Sequence, residues 1–373
     1  MTEKGGQHIL QTALSSGFSA TEGVHNKKTQ RVDSSFDGLA HTLPQDVVPQ
    51  VTSRVTFKGK HHNVDFPYIS WGAWSWGDKA SWSWSDDEMP ALEAGWKHAV
   101  SEGAGWIDNA QAYGSGRSEE ITKGLLQGLP RDSYQIQTKW YVVPDNLTNV
   151  FHPNQAPAIM LRDSLKRMGL GYIDCYLVHG NIFPSSIKAV AKGLADAVEE
   201  GLTKTVGVAN FNEADMIKMA DALAEYGVPL ATNQCEYNLL RRHPETSGLL
   251  AACKERGIHF QSYSSLAQGR LTGKYDKNNP PPKNHRFSSY PMEELEPQLN
   301  VLREIADRRG KPVAAVALNY NISKGILPVV GIRSKEMVDT NLAALGWRLS
   351  EEEMKQLDAV GLEGKTTKLW QQG

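Results

Sequence analysis

From residue 54 onward this chain repeats one unit, a short run of β-branched or buried-type residues followed by a longer stretch with apolar residues at helical spacing. Eight such runs are readable, at 67–71, 105–108, 134–139, 173–179, 205–209, 230–235, 258–263 and 326–330. Helical stretches at 87–102, 118–127, 155–168, 185–200, 212–226, 245–256, 291–309 and 312–322 separate them. Gly103, Gly201, Gly227, Gly257 and Gly310 stand just past helix ends, where a left-handed backbone suits glycine. Eight parallel strands joined by right-handed helical crossovers close on themselves and leave no strand edge unpaired. The expected fold class is therefore α/β, a (β/α)8 TIM barrel. An open doubly wound sheet is the rival, but no G-x-G-x-x-G follows the first run. Gly114 and Gly116 supply only two of its glycines, outside that context, and read as turn residues.

Ahead of the barrel, Arg54–Phe57 and 63–66 predict a small N-terminal β-hairpin around a turn containing Gly59. Residues 1–50 show no sustained period and are expected to form a flexible N-terminal extension, a tail or a wrapping arm, leaving 51–373 as the barrel unit. As a targeting signal the extension is poor, because Glu3, Glu22, Asp33, Asp37 and Asp46 accompany only four Lys or Arg and no continuous apolar segment. A cytoplasmic protein is expected, with organelle targeting by the extension as the alternative.

Composition narrows the partners. With 40% hydrophobic and 22% charged residues the chain has enough apolar material for a large core and is not globally disordered. A formal charge of −2 gives no basic field for nucleic acid or anionic lipid. The longest apolar runs, such as 313–318, fall far short of the roughly 18–20 residues that span a membrane. Three scattered cysteines, Cys175, Cys235 and Cys253, fit neither a disulfide framework nor a zinc site, so a reducing compartment and no metal are expected. Cys175 and Cys235 lie within strand runs and read as small core residues.

In a parallel barrel the strand C-termini build the site. Asp108 ends the second run and Tyr113 lies in its loop, within "GWIDNAQAYGSGRSEE". Lys139 ends the third, in "YQIQTKW", and His179 the fourth, in "IDCYLVHG". An acid, a phenol, an amine and an imidazole at one mouth suit proton donation to a carbonyl oxygen that becomes negative as hydride reaches its carbon. A tyrosine of ordinary pKa, about 10, is a weak acid and needs a neighbouring cation, which Lys139 supplies while Asp108 holds the ammonium. One such residue alone is more often a loop cap. Four complementary ones at neighbouring strand ends argue for a site.

The same segments resemble the aldo-keto reductase superfamily, in particular the branch with plant plastid aldo-keto reductases and potassium-channel β subunits. "IDNAQAYGSGRSEE", "GLTKTVGVANF", "NQCEYNLL", "YSSLAQGRLTGKY" and "GIRSKEMVDTNLAALGW" carry the likeness. The resemblance implies that Asp108, Tyr113, Lys139 and His179 form the catalytic tetrad. It implies NADPH at the barrel mouth, the carboxamide held by Asn210 and Gln234, the nicotinamide stacked on Tyr263, and the pyrophosphate beside Ser264, Leu266 and Gln268. Gly331, Arg333 and Asn341 would hold the adenosine half, with Arg333 on the 2′-phosphate, since a guanidinium fork matches a phosphate dianion. Reduction of a small-molecule aldehyde or ketone, one that can be bulky or aromatic, to its alcohol is the expected activity. A cofactor-sensing partner protein like the channel β subunits, or an alcohol dehydrogenase or isomerising enzyme of secondary metabolism, is the alternative.

The chain departs from the family in three places. Ala209 replaces a serine beside Asn210, and Met337 and Thr340 replace polar residues of the adenosine segment. Gly180 stands where a tryptophan usually follows His179, which is expected to open space for a bulkier substrate. The loop "WGAWSWGDKASWSWSDD" offers Trp74, Trp76 and Trp82 as an apolar wall for an aromatic substrate, with Tyr141 beside them. "KNNPPPKNHRF" reads as a long covering loop.

Overall fold

The computed structural model describes residues 29–143, 147–367 and 370–373. The first 28 residues of the expected extension lie outside the described residues. Strands β1 (Arg54–Phe57) and β2 (Val64–Pro67) pair antiparallel as the predicted hairpin. Eight parallel strands then close a barrel: β3 (Ser70–Gly72), β4 (Trp106–Asp108), β5 (Gln135–Trp140), β6 (Ile173–Val178), β7 (Thr203–Ala209), β8 (Leu230–Glu236), β9 (His259–Tyr263) and β10 (Leu327–Gly331). The run expected at 67–71 divides. Pro67 stays in the hairpin opposite Arg54, and Tyr68 and Ile69 carry the chain from there into the barrel wall.

The hairpin floors the barrel. Phe57 and Phe66 lie 4.4 Å apart by ring centroids, and Phe66 is 4.7 Å from Trp106, the first residue of β4. Leu177, Ala231 and Leu327 complete this apolar plug, which keeps water out of one end. A larger core fills the space between the strands and the surrounding helices. The helix Ile187–Glu199 is representative: Ser186 caps it by accepting from Ala189 N at 3.2 Å, and Val190, Leu194 and Val198 bury its inner face. Such a cap is worth about 1 kcal/mol.

The five expected helix-stop glycines all have φ between 60° and 78°. The stretch expected at 245–256 is broken by Gly248, at φ 89°, into His243–Thr246 and Leu249–Glu255. Two further helices, Lys335–Leu342 and Glu351–Val360, begin at the serine caps Ser334 and Ser350, and Glu353 completes a capping box on the second.

From residue 29 the extension runs as an arm on the barrel surface. Arg31 bridges to Leu362, Lys324 Nζ donates to Gly38 O at 2.9 Å, and Arg348 donates to Leu43 and Pro44 carbonyls. Lys324 is fully buried and pairs with Glu245 at 2.7 Å and Asp358 at 3.2 Å, and Arg242 joins both carboxylates. This buried ion network ties the arm and the final helix to the barrel.

Candidate active site

β4 delivers Asp108 to the mouth, and both of its carboxylate oxygens accept from Lys139 Nζ of β5 at 2.8 Å. Gln137 and Gln234 donate to the same carboxylate at 2.5 and 3.1 Å. Behind it Gln137 and Gln261 exchange amide hydrogen bonds in both directions, at 3.0 and 2.9 Å, and Gln261 also donates to Thr232 Oγ1. Asn109 O at 2.9 Å and Tyr113 Oη at 3.3 Å also lie within hydrogen-bond reach of Lys139 Nζ, so its three N–H donors are shared among four acceptors. Tyr113 stands on a tight turn whose Gly114 and Ser115 are both left-handed. The His179 ring, just past β6, lies 5.7 Å from that of Tyr113, nearly perpendicular. The four strand-end residues expected from sequence thus share one cluster.

The electrostatics suit a neutral acid beside a fixed cation. Burial raises the Tyr113 pKa above the ordinary phenol value, and Lys139 offsets only part of that rise. The lysine therefore does not turn Tyr113 into a tyrosinate at rest, and its charge bears on the anion formed when the proton leaves. Burial opposes the Lys139 charge, but Asp108 and the phenol outweigh it and raise its pKa. Burial and then Lys139 push the His179 imidazole well below its usual pKa, so it is neutral. Its Nδ1 is buried and has no hydrogen-bond partner among the described residues.

A cavity of about 1070 Å³ opens over this cluster. Asn210, Gln234, Tyr263, Ser264, Leu266, Gln268, Gly331 and Arg333 line it, as the resemblance implies for a dinucleotide site. Tyr263 Oη donates to Asn210 Oδ1 at 2.9 Å, and Asn210 Nδ2 donates to His179 O at 3.1 Å. Asn210, Ser264 and Gln268 have φ of 63°, 51° and 51°. Non-glycine residues held there cost roughly 1–3 kcal/mol each, a strain that collects at functional sites. Arg333 is paired with Glu88 and Trp82 O. Asn341 does not reach the cavity, since it is buried behind Gly331 and donates to its carbonyl at 3.5 Å.

Trp74, Trp82 and Tyr141 line the cavity, with Trp74 6.3 Å from Tyr113 and 5.3 Å from Trp82. Trp76 does not. The chain turns between them, Trp76 N donating to Ala73 O, and the Trp76 indole is fully buried with its N–H on Ile332 O at 3.0 Å. The space expected beside Gly180 is also not open, because Trp370 fills it. A Cβ on Gly180 would stand 3.3 Å from the Trp370 ring, and that ring lies 5.2 Å from His179.

Sequence reading missed Trp370 and its anchorage. Arg241, fully buried, donates to the carbonyls of Lys365, Glu236 and Gly373 at 2.9, 2.6 and 2.6 Å, and Gln371 donates to Glu236. It also missed His285, Arg286 and Phe287 of the covering loop, which line the cavity. Their one signal was an aromatic and two basic residues closing a Pro-rich stretch. That loop meets the first one across the cavity, where Trp82 lies 4.7 Å from His285 and Trp74 5.6 Å from Phe287. The three thiols are buried, and burial pushes Cys175 and Cys235 up to about 12, which leaves them unreactive core residues. Among the described residues no cluster of His, Cys, Asp and Glu is placed to hold a metal ion, and no helix is long and apolar enough to cross a membrane.

The fold is thus a closed parallel barrel with Asp108, Lys139, Tyr113 and His179 gathered at its mouth. Residues 68–361 match the Aldo/keto reductase family, and the chain belongs to that family. It is 33% identical over 306 residues to the chloroplastic pyridoxal reductase of Arabidopsis thaliana, covering 79% of this chain and 83% of the relative. It is 30% identical over 292 residues to the 7-acetyl-epi-neemfruitin B aldo-keto reductase of Melia azedarach, covering 72% and 82%. Among solved structures, an aldo/keto reductase from Klebsiella pneumoniae in complex with NADP and acetate superposes with a TM-score of 0.64 at 25% identity, covering 85% of this chain and 98% of that one.

Proposed function

We propose that this protein reduces an aldehyde or ketone to its alcohol with NADPH, using Tyr113 as the proton donor. The observation that carries the reading is Lys139, fully buried and bonded at once to Asp108 and to the phenol of Tyr113. The cavity fits the cofactor: amides of Asn210 and Gln234 match a carboxamide, Tyr263 offers a flat face, Ser264, Leu266 and Gln268 lie along the way to the far end, and Arg333 offers a fork to the 2′-phosphate. When bound, NADPH supplies the hydride. The carbonyl π pair becomes an alkoxide, Tyr113 gives it a proton, and the resulting tyrosinate is held by Lys139 until water reprotonates it. Neutral His179 orients the carbonyl by a hydrogen bond to its oxygen. Trp74, Tyr141, Phe287 and Trp370 favour a flat, aromatic carbonyl compound, in keeping with the relative named for pyridoxal.

The test follows NADPH absorbance with a panel of aromatic and aliphatic carbonyls. Tyr113→Phe should lose about 10²–10⁴ in kcat, the usual worth of a positioned acid, while still binding NADPH. Full turnover in that variant would remove Tyr113 from the role. We further place the protein in the cytosol on its unpaired thiols, and fusing residues 1–50 to a fluorescent protein distinguishes this from organelle import.

A further inference from the structure

Arg333, the residue proposed to meet the 2′-phosphate, is engaged. Its Nη1 donates to Glu88 Oε2 and Oε1 at 2.8 and 3.1 Å, and its Nη2 donates to Trp82 O at 2.9 Å. Arg333 lines the cavity and Glu88 does not. Glu88 is also the third residue of a capping box, accepting from Ser85 N at 3.1 Å, so its carboxylate is held in place by the turn it caps. Trp82, whose carbonyl accepts from Arg333, also lines the cavity, and its indole N–H is buried with no acceptor among the described residues. A guanidinium fork in a cavity calls for an acceptor-rich anion, and here the Glu88 carboxylate already occupies part of it.

We propose that Glu88 is an internal competitor for the 2′-phosphate and so sets how strongly the protein discriminates NADPH from NADH. This rests on the reading that Arg333 receives the phosphate. A ligand with a 2′-phosphate must take Arg333 from Glu88 and then sits beside a displaced carboxylate of like charge. A ligand with a 2′-hydroxyl leaves the pair intact. Glu88 therefore weakens the first class selectively and lowers the discrimination that Arg333 alone would give. Arg333 and Glu88 side chains are 25% and 28% exposed, so solvent screens the pair and the effect is moderate.

Calorimetry with 2′,5′-ADP and 5′-ADP reads this without turnover. In Glu88→Gln, which keeps a residue suited to the capping box, binding of 2′,5′-ADP should tighten about three- to tenfold, a screened ion pair's worth, with 5′-ADP unchanged. The gain should vanish in the Arg333→Ala background. If Arg333→Ala leaves the gap between the two ligands untouched, the phosphate is read elsewhere and the underlying reading fails. If Arg333→Ala closes the gap but Glu88→Gln does not tighten 2′,5′-ADP, the reading stands and the competition is overturned. Weaker binding of 5′-ADP to Glu88→Gln would also overturn it, because Glu88 would then be a ligand for the ribose hydroxyl. A thermal melt matching the parent confirms that Glu88→Gln is folded, and Glu88→Ser repeats the measurement if it is not.

Discussion

Trp370 packs its indole against the imidazole of His179, 5.2 Å between ring centroids, over a residue that has no side chain, Gly180. The chain supplies an aromatic wall from a segment nearly two hundred residues away, with Arg241 holding the backbone on either side of it and Trp370 N donating to Thr367 Oγ1 within it. The space beside the imidazole is therefore bounded by the tail.

Trp370→Ala should empty that wall. Bulky ketones should gain on small aldehydes by about tenfold or more in kcat/KM, the usual worth of a few buried methylenes in a pocket. The readout is the ratio of kcat/KM for the two substrate classes. An unchanged ratio would mean that the indole does not border bound substrate.

With Tyr113 in the proposed role of acid, its raised pKa should set the alkaline limb of the reduction profile. The phenol acts in its protonated form, so raising its pKa extends activity upward. Carbonyl reduction should hold from neutrality to about pH 10 and fall only above it. Replacing Lys139 by Met should lower kcat throughout, because the tyrosinate formed would lose its counter-charge. A fall beginning near pH 7 in the parent would point to a different acid.

His179 contributes to the pH dependence of stability. It stays neutral in the native state, whereas the unfolded chain takes up a proton below about pH 6.5. The unfolded state then binds more protons, so stability rises with pH in this window and drops by up to about 1.4 kcal/mol per unit as pH falls below 6.5. His285, pushed down to about 4 by burial and then Arg270, adds a second share that ends near that pH. Urea titrations at several pH values should show the slope reduced by about one proton in His179→Gln.

Lys324→Met tests the buried network. Removing the ammonium leaves Glu245 and Asp358 with Arg242 and the hydroxyls of Tyr237 and Tyr320, and Gly38 O loses its donor. A loss of about 3 kcal/mol or more is expected in urea unfolding, with earlier proteolysis near residue 38. A loss under about 1 kcal/mol would show that the network is not needed to hold the arm.

The barrel was legible because its periodicity is local: most strands start and stop within two residues of the sequence reading. Asp108, Tyr113, Lys139 and His179 were legible for a topological reason, since strand C-termini must gather at one mouth. Trp74 and Trp76 look alike in sequence, and only the turn at Ala73 sends one to the cavity and the other to the core. Trp370 was invisible because residues 361–373 have no period, and its position depends on Arg241, a contact between distant segments. The helices opening at Ser334 and Ser350 were missed although their caps are plain in the sequence.

The amide lattice of Gln137, Gln261, Gln234 and Thr232 has a lasting consequence. It links Asp108 to strands β5, β8 and β9 through the barrel's interior, away from every loop that borders the cavity. The side-chain bonds of that lattice are made among strand residues, with none to the tryptophan loop, the Pro-rich loop or the tail among the described residues. Such a molecule can vary its rim over generations while the seat of Asp108 is inherited, as two parts evolving at different speeds.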